Sequence, residues 1–226
     1  MPRFPFLRHA ALWDAIAPGL PTADLAHDAD HLLRVYAWAL RLAPEAGADP
    51  ELAGAAALVH DLVNIPKDSP DRPMGGEQSA AASRGPLQAA GFEPAERAEI
   101  VEAVRTCSWS RGLVPTGPLG RVLQDADRLD ALGAVGLARN LACAQSFAAR
   151  TPTRFYDPSD PLGEGGRPLD DTRNAADHLP RKLLRLARGM HTESARAEAA
   201  RRHAFLEAWR GRLAEEAAVA LPFVMP

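Results

Sequence analysis

The stretch AGAAALVHDLV, residues 53–63, limits what this chain can fold into more than any other. It is rich in helix-forming alanine and leucine and holds no proline before Pro66, so it reads as a buried helix over residues 53–63. His60 and Asp61 then lie side by side near its end. Burying two strongly polar side chains in such a helix costs free energy unless partners are buried with them, and a charged carboxylate costs more. The rest of the fold has to deliver those partners.

The remainder of the chain also reads as helix. Apolar residues recur at helical spacing in DHLLRVYAWALRL, which predicts a helix over 28–42, closed by PEAGADP; an earlier helix over 9–16 ends at PGLPT. Further helices are expected over 77–90, 94–107 and 118–149, the last broken near Gly133 or Gly136. Two more, over 174–189 and 192–218, close the chain. No alternation of period two and no β-branched run points to a strand, so the fold class is all-α. IPKDSPDRPMGG is a loop, and residues 151–171, TPTRFYDPSDPLGEGGRPLDD, are too broken by proline and glycine for a regular element. An irregular insert of that length is more often functional than accidental, for example as a lid.

Charge and cysteine content exclude several classes. A net charge of −3 over 226 residues argues against a nucleic-acid binder, which carries a basic excess or stripe. No apolar run is long enough to span a bilayer. Charged residues interrupt the N-terminal apolar residues and no cleavage site follows, which reads as a cytoplasmic start. Cys107 and Cys143 lack CxxC spacing, so neither a disulfide framework nor a thiolate zinc site is expected.

Few polar residues are placed for chemistry. HDADH sets His27 and His31 four apart, on one helical face if the helix begins that early. LQDADRLDALGAVG carries Asp125, Asp127 and Asp130 in a helix that is otherwise nearly apolar, where a cation would be one possible partner. At about 100° per residue, Asp125 and Asp127 point to nearly opposite faces while Asp127 and Asp130 are neighbours. At most one of the first two joins a given site, and spacing does not choose between Asp127 and Asp130. His178, His191 and His203 lie in alanine- and arginine-rich stretches and read as surface or packing residues.

The order H…HD…D resembles the HD-domain metal-dependent phosphohydrolases. HDADHLLRV is similar to that family's HDxxHxxRV helix, ALVHDLV to its HD helix, and LQDADRLDALGAVGLAR to the third block of the branch typified by the bacterial protein YedJ. RFYDP and DHLPRKLLRLARGMHT extend the likeness, which covers about residues 26–214. The resemblance implies a single all-α HD-domain bundle over residues 1–226, with a core over about 26–150, a lid-like insert over 151–171 and C-terminal helices over 172–218.

It also implies the roles of particular residues. His31, His60, Asp61 and Asp127 would be metal ligands, with Asp61 also orienting the attacking water, while His27, Asp130 and Cys107 would lie near the site. No histidine falls between Asp61 and His178, and Asn64 stands where two-metal relatives carry the glutamate of HDxxE. That implies one divalent ion, with Mn²⁺ ranked ahead of Mg²⁺, Co²⁺, Ni²⁺ and Fe²⁺, and argues against the di-iron oxygenase variants. A phosphoryl group needs cationic partners; the candidates are Arg34, Lys67, Arg128, Arg154 and Lys182, with Arg72 beside Lys67 in the loop. The expected substrate is a phosphorylated small molecule, a nucleotide in particular, hydrolysed in the manner of a nucleoside triphosphate pyrophosphohydrolase. Relatives read HSFS where this chain has Cys107, Ser108, Trp109 and Ser110. That departure keeps open an alternative, a metal- and nucleotide-binding sensor with little turnover.

Overall fold

The structure, a computed structural model, describes residues 2–65, 69–148 and 151–220. Among them are nine α-helices and no strand, only an isolated bridge between Arg154 and Asn174, so the chain is all-α as expected. It divides into two compact units, Met1–Asp130 with His191–Ala195, and Ala131–Met190 with the residues from Arg196 onward.

The first unit holds α1 (Leu7–Ile16), α2 (Ala29–Ala46), α3 (Pro50–Val59), α4 (Gly75–Ala89), α5 (Pro94–Cys107) and α6 (Pro118–Asp130). Local chemistry sets most of the starts. The Asp28 carboxylate accepts the His31 N–H at 2.8 Å and so caps α2. Asp49 accepts from Glu51 and Leu52 N–H at the start of α3, and Pro50 occupies the first helical position. Pro44 does not stop α2, which runs past the expected end at 42 to Ala46. A proline this close to the C-terminus forgoes one ladder bond, and its own carbonyl still accepts from Gly47 N–H at 3.3 Å.

The largest boundary correction concerns α3, which ends at Val59 instead of running to residue 63. A tertiary contact explains it. The Ser79 hydroxyl, buried on α4, accepts the Val63 N–H at 3.1 Å and meets the Val63 carbonyl at 3.3 Å. Both backbone groups of Val63 are thereby drawn out of a helical ladder. Asp61 consequently sits in a turn beyond the helix.

Helix α3 is the core of this unit. Every residue from Leu52 to Val59 is buried, as expected of a helix apolar on all sides. α2 packs on α3 and α6, α5 on α4 and α6, and α1 on α3 and α4. Gly54 lets α3 pass flush against α1 and α2, since a Cβ there would fall 2.5 Å from His9 Cε1 and 2.7 Å from Tyr36 Cε2. His9 is fully buried at that crossing, with Nε2 2.7 Å from the Glu51 carbonyl and Nδ1 2.8 Å from the Tyr36 hydroxyl. A carbonyl only accepts, so Nε2–H donates to it and Nδ1 accepts from Tyr36. Nearby, Arg8 joins both Glu51 and Glu96 and lies 4.2 Å over the Phe92 ring.

The second unit holds α7 (Gly133–Ala148), α8 (Leu184–Leu186) and most of α9 (Glu193–Ala220). The expected 118–149 helix breaks at Ala131 and Leu132, and Gly133 takes the left-handed φ of 72° that favours glycine. The expected 174–189 helix is instead a chain of short 3-10 and π turns around α8, with Pro180 inside it. Arg167 ties the insert together through the buried Asp177 carboxylate at 2.6 Å, with Asp160 at 3.3 Å and Asp157 at 3.5 Å.

Burial lowers the pKa of His9 against the opposing pull of the Glu51 carbonyl. The unfolded chain, with a histidine near its ordinary value of about 6.5, therefore binds the proton more readily than the folded one. Its contribution to stability is fully present above that value and is lost as pH falls below it. Urea unfolding of the wild type is expected to weaken between pH 8 and pH 5.5, and a His9→Leu variant, less stable throughout, should lack the part of that slope due to this proton. Equal slopes in the two proteins would remove His9 as the cause.

Candidate metal centre

Three elements of the first unit bring histidine and aspartate together. His31 lies in the first turn of α2, His60 directly follows the last residue of α3, and Asp127 lies in α6. Ligand atoms of these three lie within 4.8 Å of one another, and they form the one such group among the described residues that could hold a metal ion. His31 Nε2 stands 3.8 Å and His60 Nε2 3.7 Å from Asp127 Oδ1. Asp61 joins at the edge, with Oδ2 4.0 Å from His31 Nε2, outside the mutual set. Donors each about 2.1 Å from a shared ion are at most about 4.2 Å apart, so these three separations are within reach of one cation.

The two imidazoles form a buried floor, and Asp61 and Asp127, 24% and 31% exposed, form a partly open rim. His60 Nδ1 lies 2.8 Å from the Ala57 carbonyl, so it is the donor, and in the neutral imidazole the lone pair falls on Nε2. That Nε2 is buried with no hydrogen-bond partner, Asp127 being too distant for one. His31 Nδ1 lies 2.8 Å from Asp130 Oδ2, again with the acceptor on the far side from Asp127. Burial would lower the pKa of His60, but the Asp127 and Asp61 carboxylates outweigh it and hold the imidazole above its ordinary value. An unpartnered buried nitrogen beside a carboxylate is what a ligand set looks like before its cation is counted, so these residues fit a divalent ion.

The other residues singled out in the sequence fall into place around this group. His27 precedes α2, its Nδ1 2.9 Å from Asp24 Oδ2 and its ring centroid 6.5 Å from that of His31. Asn64 donates to the same Asp24 oxygen at 3.0 Å and accepts from Arg72 at 3.2 Å. Cys107, buried at the end of α5, approaches Asp127 Oδ2 with its sulfur at 4.0 Å. Asp125 points away from Asp127, as helical geometry requires. It accepts the His191 and Thr192 N–H groups at 2.8 Å and the Thr192 hydroxyl at 2.9 Å, just ahead of α9.

The five candidate phosphate-binding cations do not share one setting. Arg34 directs Nε and Nη2 to Asp130, at 2.7 and 3.2 Å. Arg128 adjoins Asp127 and is half-buried, which pulls its pKa below the ordinary value against nearby carboxylates. Arg154, exposed, and Lys182, half-buried, belong to the second unit. Lys67 lies outside the described residues. Two residues that the sequence reading passed over shape the site, Ser79 through Val63 and Asp24 through His27 and Asn64. Asp24 left a faint signal as an acid three residues before His27, whereas Ser79 looks like any helical serine.

Residues 28–132 match the HD domain model, a span that takes in all four expected ligands. The chain belongs to the HD-domain family, the metal-dependent phosphohydrolases. YpgQ of Bacillus subtilis is 33% identical over 184 residues, 80% of this chain and 79% of that one. The crystal structure of YpgQ in complex with ADP superimposes with a TM-score of 0.67 at 26% identity, covering 92% of this chain and 97% of YpgQ. A Lactobacillus plantarum protein gives a TM-score of 0.75 at 28% identity over 96% of this chain and all of that one. An HD-superfamily hydrolase from Bacillus thuringiensis gives 0.60 at 27% identity, over 83% and 84% of the two chains.

Ligand binding to the folded state alone adds stability in proportion to the logarithm of concentration. Mn²⁺ at about a hundredfold above its Kd is expected to add about 2.7 kcal/mol, which for a chain of this size raises Tm by roughly 5–10 °C. Differential scanning calorimetry checks this, and His60→Ala should abolish the shift. An equal shift in that variant would place the ion elsewhere.

Proposed function

We propose that this protein is a metal-dependent phosphohydrolase of nucleotides, holding one divalent cation on His31, His60, Asp61 and Asp127. The observation that carries the reading is the buried, unpartnered Nε2 of His60 facing Asp127 in an HD-domain chain. Bound there, the cation supplies Lewis-acid chemistry, making a water more acidic and polarising a phosphoryl oxygen. The donor set of two imidazoles and two carboxylates suits Mn²⁺, Mg²⁺, Co²⁺, Ni²⁺ or Fe²⁺, and Mn²⁺ is the ion proposed.

The residues of the chain do the rest. His31 and His60 hold their lone pairs at the floor, and their burial keeps bulk water from the back of the site. Asp61, in a turn at the rim, has one oxygen for the cation and a second to accept a proton from, and so aim, the attacking water. Asp127 uses Oδ1 toward the imidazoles, while Oδ2 is near Cys107. Arg128 supplies positive charge beside Asp127, where the transferring phosphoryl group spreads its negative charge over three oxygens.

Two considerations support a nucleotide. YpgQ, the Bacillus subtilis relative, was crystallised with ADP. The DRLDALGAVG block is similar to that of a branch in which hydrolysis of nucleoside triphosphates to monophosphates is expected. The substrate is accordingly a nucleoside triphosphate, attacked so as to release pyrophosphate.

Purified protein supplied with Mn²⁺, Mg²⁺, Co²⁺ or Ni²⁺ should release pyrophosphate from one or more nucleoside triphosphates and show less activity on monophosphates and generic phosphoesters. Asp61→Ala should reduce turnover by at least about two orders of magnitude, the lower end of the range for losing one proton-transfer group. No phosphate or pyrophosphate release with any metal would overturn the enzyme reading, and retained nucleotide binding in that case would establish a sensor instead.

A further inference from the structure

We propose that Arg34 and Asp130 are positioning residues for the metal centre, which hold His31 in the tautomer whose Nε2 lone pair faces Asp127 and a bound divalent cation. The inference rests on the metal-centre reading and assigns Arg34 a task other than touching substrate. Arg34 follows His31 by three residues on α2, and Asp130 follows Asp127 by three on α6. Residues three apart share a helix face, and α2 packs directly on α6. An HxxR pair therefore meets a DxxD pair across the interface. Asp127 takes the Nε2 side of His31 and Asp130 takes the Nδ1 side.

The hydrogen bonds at Asp130 fix the direction of the proton. Its carboxylate lies 2.8 Å from His31 Nδ1, 2.7 Å from Arg34 Nε and 3.2 Å from Arg34 Nη2. An ionised carboxylate only accepts, so His31 carries its hydrogen on Nδ1 and presents a lone pair at Nε2. Asp130 is 1% exposed, and a carboxylate taken out of water needs a compensating charge. Arg34 provides that charge, and its planar fork engages both oxygens, which fixes the plane of the carboxylate and so its aim at Nδ1. A lysine would supply charge without fixing that plane.

An isosteric change exposes the logic. In Asp130→Asn one oxygen becomes an NH₂ group. Arg34 has only donors, so the remaining oxygen turns to it and the amide NH₂ faces His31 Nδ1. His31 must then accept at Nδ1 and carry its hydrogen on Nε2, the nitrogen that faces Asp127. A nitrogen holding hydrogen has no lone pair for a cation. Outer partners of metal-bound histidines typically change metal affinity about 10- to 100-fold when altered.

The test measures binding and tautomer, not turnover. Metal-free wild type, Asp130→Asn, Arg34→Gln and Arg34→Lys are titrated with Co²⁺, and ¹⁵N shifts report which His31 nitrogen carries the hydrogen. The wild type should show hydrogen on Nδ1. Asp130→Asn should show it on Nε2 with Co²⁺ affinity reduced about 10- to 100-fold. Arg34→Gln should also weaken Co²⁺, and Arg34→Lys should recover part of the loss. Unchanged Co²⁺ affinity in Asp130→Asn, or hydrogen still on Nδ1, would overturn the proposal even if the variant is less stable. If Asp130→Asn does not fold, the Arg34 pair decides: Arg34→Gln binding Co²⁺ as tightly as wild type would overturn it. A wild type that binds neither Co²⁺ nor Mn²⁺ would instead remove the metal centre itself, and this role with it.

Discussion

A centre built on two imidazoles needs both to offer a lone pair to one point, and each can do so at one nitrogen only while the other keeps its hydrogen. The two Nδ1–H groups here meet acceptors of different origin. His60 donates to the Ala57 carbonyl, one of the acceptors left over where a helix ends. His31 donates to Asp130, a carboxylate carried in by a different helix. The first arrangement requires α3 to end next to His60, and the second requires α2 and α6 to lie side by side. Much of the first unit follows from those two demands. Ser79 draws Val63 out of the α3 ladder, Asp28 caps α2 at His31, and Gly54 admits α3 into close contact with α1 and α2.

How much of this was legible in the sequence depended on whether the cause was local. The all-α class, the 94–107 helix and the break before Gly133 are written in spacing, proline and glycine, and the structure keeps them. The end of α3 is not legible in local sequence because its cause, Ser79, lies sixteen residues beyond Val63 and meets it only in the folded chain. The 174–189 segment was misread because its leucines and arginines carry helical spacing while Pro180 forbids a continuous ladder. At the site, the residue types were legible, since a His-Asp pair in an apolar run has to be explained. The division of labour between Asp127 and Asp130 was not, because it is decided by which nitrogen of His31 each one faces.

Burial separates the chemistry of the site into two layers. The imidazoles sit almost out of solvent, where water does not compete for the hydrogen bonds that orient them. The carboxylates at the rim keep part of their surface in water. A hydrolytic centre requires both properties, with fixed donors beneath and an open side where water and a phosphate ester meet. Asn64, where a second carboxylate would stand in two-metal relatives, is bound instead to Asp24 and Arg72.

Helix α6 shows how three aspartates are accommodated in an apolar helix without three separate penalties. Asp125 turns to the start of α9 and receives two backbone N–H groups and a hydroxyl, a full complement for a buried carboxylate. Asp127 emerges on the opposite face beside the imidazoles, where a divalent cation would balance it. Asp130, a turn later and on nearly the same face as Asp127, reaches past it to His31 Nδ1 and Arg34. At about 100° per residue the i, i+2, i+5 spacing sends one carboxylate across the helix and keeps the other two on neighbouring faces. The sequence DADRLD is therefore one helix serving three distinct partners, and the polar residues that seemed costly in an apolar stretch are the ones that join α6 to α2, to α3 and to the segment that opens α9.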